Sequence, residues 1–191
     1  MAGSIRRSAI LESAIAEFSA RGYHGARIER IAASARANKQ LIFHYFGSKD
    51  GLYEAAVANL LPQDQEESAP AQTPLDALKG CIAGIAAWLA ENPGAALALA
   101  ECAPGSELPG GALRLASEWT DRQVGMLQAA LEDGQRKGFF RDDIDAQSIA
   151  DVTLASLVGW AVTRKGRPPD GARFRRPAAI GQIVADYCSW R

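Results

Sequence analysis

Several features that define whole classes of proteins are missing from this sequence of 191 residues. It contains no run of about 18 uncharged apolar residues, which excludes a membrane-spanning helix of ordinary length. Its first residues, MAGSIRRSAILESAIAEF, carry glutamates within their apolar stretch and therefore do not fit a secretory signal. We expect a cytoplasmic protein that has no membrane partner.

Cysteine and histidine are scarce. Cys81, Cys102 and Cys188 are widely spaced and form no C-x-x-C pair, so a disulfide framework is not expected. We interpret them as buried thiols, and a redox sensor is the alternative. Both histidines, His24 and His44, lie within residues 1–60, so the rest of the chain has none for a catalytic triad, a Cys-His pair or a histidine-bearing metal site. Because a glycine-rich phosphate loop is also missing, we predict no enzyme, no cofactor and no metal.

Charge is unevenly distributed along the chain, although the formal net charge is only −1. Residues 1–60 contain eight Arg and Lys against five Asp and Glu, whereas residues 61–191 contain thirteen against seventeen. A basic N-terminal segment on an acidic remainder suits a protein that presents one face to polyanionic DNA. Arg6 and Arg7 are either phosphate ligands or a solvated basic terminus.

The segment 38–49, NKQLIFHYFGSK, predicts a short helix with two chemically different faces. The apolar face consists of Leu41, Ile42, Tyr45 and Phe46, and the other face consists of Lys39, Gln40, Phe43 and His44. Asn38 is suited to cap this helix, and Gly47 and Ser48 to end it and cap the next one. A helix of about nine residues rises ~13 Å, enough to lie in a major groove.

A second predicted helix precedes this segment. The stripe Ile28, Ile31, Ala32 and Ala35 predicts a helix from about Arg27 to Ala35. Two helices joined by a short turn form a helix-turn-helix unit, whose second helix enters the groove with its N-terminal residues first. A helix over residues 4–21, with Leu11, Ala14, Ile15 and Phe18 in its core, and a helix after Ser48 complete the unit.

These positions predict the DNA contacts. The expected phosphate ligands are Arg27, His44, Tyr45 and Lys49. The expected base readers are Lys39 and Gln40, with Leu41 or Phe43 near a thymine methyl group. For Tyr45 and His44, packing in the core is the alternative.

An ordered set of residues marks the segment 18–57: Phe18, Gly22, Tyr23, Ile31, Ala32, Tyr45, Phe46, Ser48, Lys49, Asp50 and Leu52. With these residues the segment resembles the DNA-binding domain of the TetR family of bacterial transcriptional regulators. The phrase GQRKGFFRDDIDAQSIADV, residues 134–152, is similar to the family's joint between its seventh and eighth helices. The resemblance implies an all-α fold, with a three-helix helix-turn-helix domain over residues 1–60 and a larger helical effector-binding and dimerisation domain over residues 61–191.

Three residues depart from the family pattern. Ala26 stands where the family usually has a threonine that caps the second helix and touches a phosphate. Arg36 replaces the usual glycine of the turn, so either it adopts a left-handed conformation or the turn differs. Phe43 lacks the hydroxyl of the usual tyrosine. Individual phosphate contacts are therefore expected to differ from those of the family.

The remainder of the chain predicts further helices. The proline-bearing acidic segment 61–74 is expected to be a loop, followed by a helix from Pro74 to Glu91 capped by Thr73. A short apolar helix within residues 94–103 and a long one within residues 108–140 come next. Large or soft side chains on these helices predict a pocket for an apolar or aromatic effector, with core filling as the alternative: Trp88, Leu97, Cys102, Trp119, Met126 and Trp160.

The last two predicted helices indicate a second copy of the chain. Apolar residues in IADVTLASLVGWAV, residues 149–162, spread almost all round the helix, and Ala155, Ser156 and Gly159 permit close approach of another helix. Residues 178–190 offer a second stripe, which consists of Ile180, Ile183, Val184 and Tyr187. Two such helices from each of two chains predict a homodimeric four-helix bundle.

These observations together predict a ligand-responsive transcriptional regulator. It binds double-stranded DNA at a palindromic operator as a homodimer, and a small-molecule effector releases it. The family resemblance makes repression the default. The alternative is an architectural DNA-binding protein without an effector.

Overall fold

The computed structural model describes residues 2–62, 71–103, 105–164 and 177–189. Within these ranges the chain forms nine helices: α1 (Ala2–Gly25), α2 (Ile28–Ser34), α3 (Lys39–Phe46), α4 (Lys49–Leu60), α5 (Pro74–Glu91), α6 (Pro93–Glu101), α7 (Gly110–Arg136), α8 (Ala146–Arg164) and α9 (Pro177–Cys188). The same ranges contain no strand beyond one isolated antiparallel bridge, which joins Phe140 to Ser189. The predicted all-α fold is confirmed.

The chain divides into two compact units that do not follow the order of the sequence. The first contains α1 to α4, α6 and α7 as far as Trp119, and the second contains α5, α7 from Thr120 onwards, α8 and α9. The first unit therefore holds more than the four N-terminal helices, because α6 contacts both α1 and α4. The functional boundary near residue 60 stays a prediction, and residues 63–70 of the predicted loop lie outside the described ranges.

The first unit is built around α1, which contacts α2, α3, α4 and α6. Ile10, Ala14 and Phe18 recur every four residues and are buried, and the Phe18 ring meets that of Tyr53 edge-on with centroids 4.9 Å apart. The predicted stripe was correct for Ala14 and Phe18. Leu11 and Ile15 are only half-buried, because the buried face of α1 is centred one residue earlier, on Ile10.

Gly22 interrupts α1 rather than ending it. Its backbone has φ 69° and ψ 179°, and the helix resumes to Gly25. The predicted break at Gly22 is therefore confirmed, and a short second helical segment follows it to Gly25. The left-handed φ is the region in which glycine is favoured, since a side chain there contacts its own backbone.

The predicted helix ends around α3 are confirmed. The Asn38 side chain accepts a hydrogen bond from the backbone N–H of Leu41 at 2.7 Å. Gly47, with φ 76°, ends α3, and Ser48 Oγ accepts from the backbone N–H of Gly51 at 3.0 Å. A Cβ at position 51 would lie 2.3 Å from the carbonyl oxygen of Phe46, so the turn into α4 requires a glycine there.

In the second unit, α5 packs against α8 and α9. Its buried face consists of Leu78, Ile82, Ile85, Ala86 and Leu89. The predicted start of α5 is confirmed, since the backbone N–H of Asp76 donates to Thr73 Oγ1 at 3.1 Å. After α7, the Gln135 side chain donates to the carbonyl oxygens of Arg141 and Ile144, both at 3.0 Å, which fixes the connection to α8.

The cysteines are buried to different degrees. Cys188 is buried, and burial raises its pKa to about 11. Cys81 and Cys102 are half-buried, and burial raises the pKa of each thiol. The interpretation as buried thiols is therefore confirmed for Cys188, whereas Cys81 and Cys102 are only half-buried.

Membrane crossing is not supported by any single helix in the described parts of the chain, since none combines sufficient length with sufficient hydropathy. The helices α5 and α6 are long and apolar enough only when they are taken as one segment, and the chain bends by 101° between them.

Candidate nucleic-acid interface

The turn between α2 and α3 depends on Arg36. This residue has φ 50°, the left-handed conformation that was one of the two predicted outcomes. Backbone N–H groups of Ala35 and Ala37 donate to Ile31 and Ala32 carbonyls, both at 2.9 Å, and so close the turn. A non-glycine residue in this conformation costs about 1–2 kcal/mol. The closed turn places the N-terminal end of α3 beside the first turn of α2.

The two faces predicted for α3 are confirmed. Ile42 is fully buried, and Leu41, Tyr45 and Phe46 are half-buried. The exposed residues are Lys39, Gln40, Phe43 and His44. For His44 the structure favours the exposed position over the core alternative, whereas half-buried Tyr45 retains both roles. Two polar side chains therefore stand exposed at the N-terminal end of α3, the end that a helix-turn-helix directs at the bases.

Lys39 forms an ion pair with Glu29, a contact that the sequence did not predict. Its ammonium donates to the carboxylate of Glu29, in the first turn of α2. Both side chains are largely exposed, at 51% for Lys39 and 61% for Glu29. The hydrogen bond from Lys39 holds the pKa of Glu29 below its usual range. Glu29 and Lys39 lie on different helices, so helical spacing does not relate them. The turn at Arg36 brings them together, which only the structure shows.

Lys49, the first residue of α4, is positioned by Tyr23. Its ammonium lies 4.7 Å from the centroid of the Tyr23 ring, a cation–π contact. The Tyr23 hydroxyl donates to the Asp50 carboxylate at 2.5 Å. Desolvation, followed by the hydrogen bond and the negative charge of Asp50, raises the pKa of Tyr23 to about 12. The predicted phosphate ligand is thus held in place by a tyrosine at the break in α1.

Arginines flank the same helices. Arg27 is exposed and is the N-cap residue of α2, but no side chain caps that helix, and Ala26 is buried where the family threonine would be. The guanidinium of Arg7 lies 4.9 Å from the ring centroid of Phe46, which places a positive charge beside α3. Arg7 therefore packs on α3, while Arg6 is exposed, and the phosphate-ligand role of both stays a prediction.

Glu101, the last residue of α6, binds the backbone of Tyr23 through its carboxylate. Its Oε2 accepts from the backbone N–H of Tyr23 and from the Tyr53 hydroxyl, both at 3.2 Å. The sequence predicted no role for Glu101. Only its position in the last turn of α6 could have indicated one, because an acidic side chain there interacts unfavourably with the helix dipole unless another contact compensates for it.

The six candidate effector contacts fall into both units. Leu97, Cys102 and Trp119 belong to the first unit, and Trp88, Met126 and Trp160 belong to the second. Trp119 and Trp160 are buried, whereas the other four are half-buried.

Trp160 Nε1 is a buried donor that has no hydrogen-bond partner within the described residues. Its ring is covered by the Arg164 guanidinium at 4.8 Å.

Comparison with known proteins gives three kinds of match. A family profile described as bacterial regulatory proteins, tetR family, matches residues 10–56. The chain is 38% identical over 160 residues to the HTH-type transcriptional repressor SCO4008 of Streptomyces coelicolor, which covers 82% of this chain and 78% of that protein. It is 31% identical over 155 residues to the HTH-type transcriptional repressor NicS of Pseudomonas putida, which covers 79% of this chain and 73% of that one.

The fold also matches a solved structure. The crystal structure of AibR in complex with isovaleryl coenzyme A and operator DNA superposes with a TM-score of 0.72. The match covers 96% of this chain and 98% of that one. The sequence identity is 21%, well below the identity to the two repressors. The arrangement of helices is therefore shared even where the sequence is not.

Proposed function

Because the chain belongs to the TetR family and is therefore a DNA-binding transcriptional regulator rather than an enzyme, we propose that it represses transcription from a palindromic operator. It binds there as a homodimer in the cytoplasm, and a small-molecule effector releases it. SCO4008 and NicS, which it resembles over most of their length, are both named repressors.

The exposed face of α3 supports operator binding most directly. Lys39 and Gln40 stand at its N-terminal end, where they can donate to guanine and pair with adenine respectively. Exposed Phe43 and half-buried Leu41 supply apolar contact for a thymine methyl group. The proposed phosphate ligands are Arg27, His44, Tyr45 and Lys49.

An exposed apolar face in the second unit supports the homodimer. Val152 on α8 is 65% exposed, and Ile183 and Tyr187 on α9 are 67% and 55% exposed. Ala155 and Gly159 are exposed on α8 as well, so that a facing helix can approach closely. Pairing this face with its copy about a two-fold axis buries these side chains and makes the operator palindromic, with its half-sites ~34 Å apart.

The effector contacts are proposed from the aromatic and soft side chains within each unit. In the second unit, Trp88, Met126 and Trp160 provide apolar surface. Trp160 Nε1, which has no hydrogen-bond partner among the residues that the structure describes, adds one donor. A buried donor without a partner costs about 1–3 kcal/mol, which a ligand acceptor would recover. We therefore expect an apolar or aromatic effector that carries a carbonyl or carboxylate oxygen. Leu97, Cys102 and Trp119 remain candidates in the first unit.

Release follows if the effector binds more tightly to an arrangement that does not fit the operator. The coupling free energy of such systems is typically about 1–3 kcal/mol, a five- to 150-fold loss of affinity for DNA. The AibR structure holds both isovaleryl coenzyme A and operator DNA, so this fold can accommodate the two kinds of ligand in one protein.

Selection of bound fragments from genomic DNA tests the proposal. A palindromic fragment bound at least a thousandfold more tightly than random duplex at the same salt concentration is the expected result. Equal affinities would instead favour an architectural DNA-binding protein. A screen for small molecules that release the selected fragment then tests the effector, and light scattering on the protein tests the homodimer.

A further inference from the structure

The pair formed by Glu29 and Lys39 lies where α2 and α3 approach each other. Glu29 is in the first turn of α2, and Lys39 is the first residue of α3. The Asn38 cap and the left-handed turn at Arg36 fix both helix ends, so the carboxylate and the ammonium are held side by side. Both groups are more than half exposed.

In the first turn of α2 the Glu29 carboxylate interacts favourably with the helix dipole, but its effect on DNA binding is unfavourable. An exposed ion pair contributes little to the stability of a protein. A negative charge beside the N-terminal end of α3 also repels phosphate, so it weakens binding to DNA in general. Glu29 therefore weakens binding to DNA in general unless it makes a specific contact with the correct sequence.

We propose that Glu29 and Lys39 together read one G·C base pair in the operator. The inference rests on the proposed function. Lys39 Nζ donates to O6 and N7 of guanine, and the Glu29 carboxylate accepts from the N4 amino group of the paired cytosine. A G·C pair presents an acceptor and a donor next to each other in the major groove, which matches the neighbouring donor and acceptor of the ion pair.

The other base pairs fit this arrangement less well. An A·T pair in the same orientation keeps the N7 acceptor for Lys39 but replaces O6 with the adenine amino group, which is a donor. It also presents the thymine O4 to the Glu29 carboxylate, so that two acceptors meet. A T·A pair presents O4 and the amino group in the correct order, but it places the thymine methyl beside the ammonium and the adenine N7 beside the carboxylate. Glu29 thus adds discrimination that Lys39 alone does not provide.

A modified duplex tests the contact. The base pair is first located as the G·C position whose preference is lost when Lys39→Met replaces the original chain in fragment selection. The selected duplex is then made with N4-methylcytosine at that position, so that a methyl group replaces the groove-facing hydrogen while guanine is unchanged. Binding is measured for the unaltered chain, for Glu29→Ala and for Glu118→Ala. Glu118 is the matched control, because it is an exposed glutamate on α7 that pairs with Arg114 at 2.7 Å.

Methylation should weaken the unaltered chain and Glu118→Ala about tenfold, and should change Glu29→Ala by less than about twofold. Equal sensitivity of all three chains, or insensitivity of the unaltered chain, would overturn the contact between Glu29 and cytosine. So would a Lys39→Met variant that loses no preference for G·C. Selection of random fragments by the unaltered chain would instead overturn the proposed function, and this inference with it.

Discussion

The carboxylate of Glu101 occupies the space that a side chain at Gly22 would need. A Cβ built on Gly22 would lie 1.9 Å from Oε1 of Glu101, and the same carboxylate accepts hydrogen bonds from Tyr23 and Tyr53. Gly22 also has a left-handed φ of 69°. Two independent constraints, one of the backbone and one of space, therefore require glycine at the break in α1.

Replacing Gly22 with alanine should lower the free energy of unfolding by about 2–5 kcal/mol. Backbone strain accounts for about 1–2 kcal/mol, and displacement of the carboxylate loses two hydrogen bonds of about 0.5–1.5 kcal/mol each. Gly47→Ala is the control, because Gly47 has φ 76° but no atom within 4 Å of an added Cβ. Urea unfolding of both variants measures the difference, and equal losses would show that the Glu101 contacts add nothing.

Tyr23→Phe should change how stability depends on pH above 10. The pKa of Tyr23 is raised to about 12 in the folded chain from an ordinary value of 10.0, so the unfolded chain loses this proton first. The stability that the neutral phenol contributes is complete below pH 10 and is lost as pH rises towards 12. The unaltered chain should therefore lose more free energy of unfolding than Tyr23→Phe across that window. Parallel curves in alkaline urea titrations would contradict this expectation.

Gln40→Ala should relax the sequence preference at one base pair of each half-site. The lost contact is worth about 1–3 kcal/mol on the preferred duplex and little on a duplex already altered at that pair. Binding to a set of single-base operator variants measures this effect. An unchanged profile across the set would remove Gln40 from the base readers.

Lys49→Ala should weaken binding to all duplexes by the same factor. A phosphate ligand carries no sequence information, and its removal should reduce the magnitude of the salt slope by about 1. Titrations of operator and random duplex at several salt concentrations test this. A loss confined to the operator would contradict the role of Lys49 as a phosphate ligand.

If the chain forms the proposed homodimer, Ile183→Asp should convert it to monomers at micromolar concentration, because a charge would be buried without a partner in the apolar face. Ile5→Asp is the matched control, since Ile5 is 69% exposed and Ile183 is 67% exposed. Sedimentation analysis measures the oligomeric state of both variants, and only Ile183→Asp is expected to be monomeric. Association that survives Ile183→Asp would place the interface elsewhere.

Local patterns in the sequence predicted most of the helices and the faces of α3. The Asn38 cap, the Ser48 cap and the Thr73 cap each depend on a residue three positions away, so a short stretch is sufficient to recognise them. The burial of Ile42 follows in the same way from the spacing of apolar residues.

Contacts between distant positions could not be predicted in this way. Glu101 and Tyr23 are 78 positions apart, and Glu29 and Lys39 are joined only through a turn whose arginine has a glycine-like conformation. The place of α6 in the first unit likewise follows from its packing against α1 and α4, which no periodicity within α6 reveals.

The carbonyl oxygen of Phe46 lies so close to Gly51 that the connection between α3 and α4 has no room for a side chain at position 51. Because α3 also packs against α4, we expect a tilt of α4 to move α3 and the proposed base readers Lys39 and Gln40 with it. If these residues read the bases as proposed, the accuracy of recognition depends partly on α4, whose proposed DNA ligand, Lys49, contacts the phosphate backbone alone.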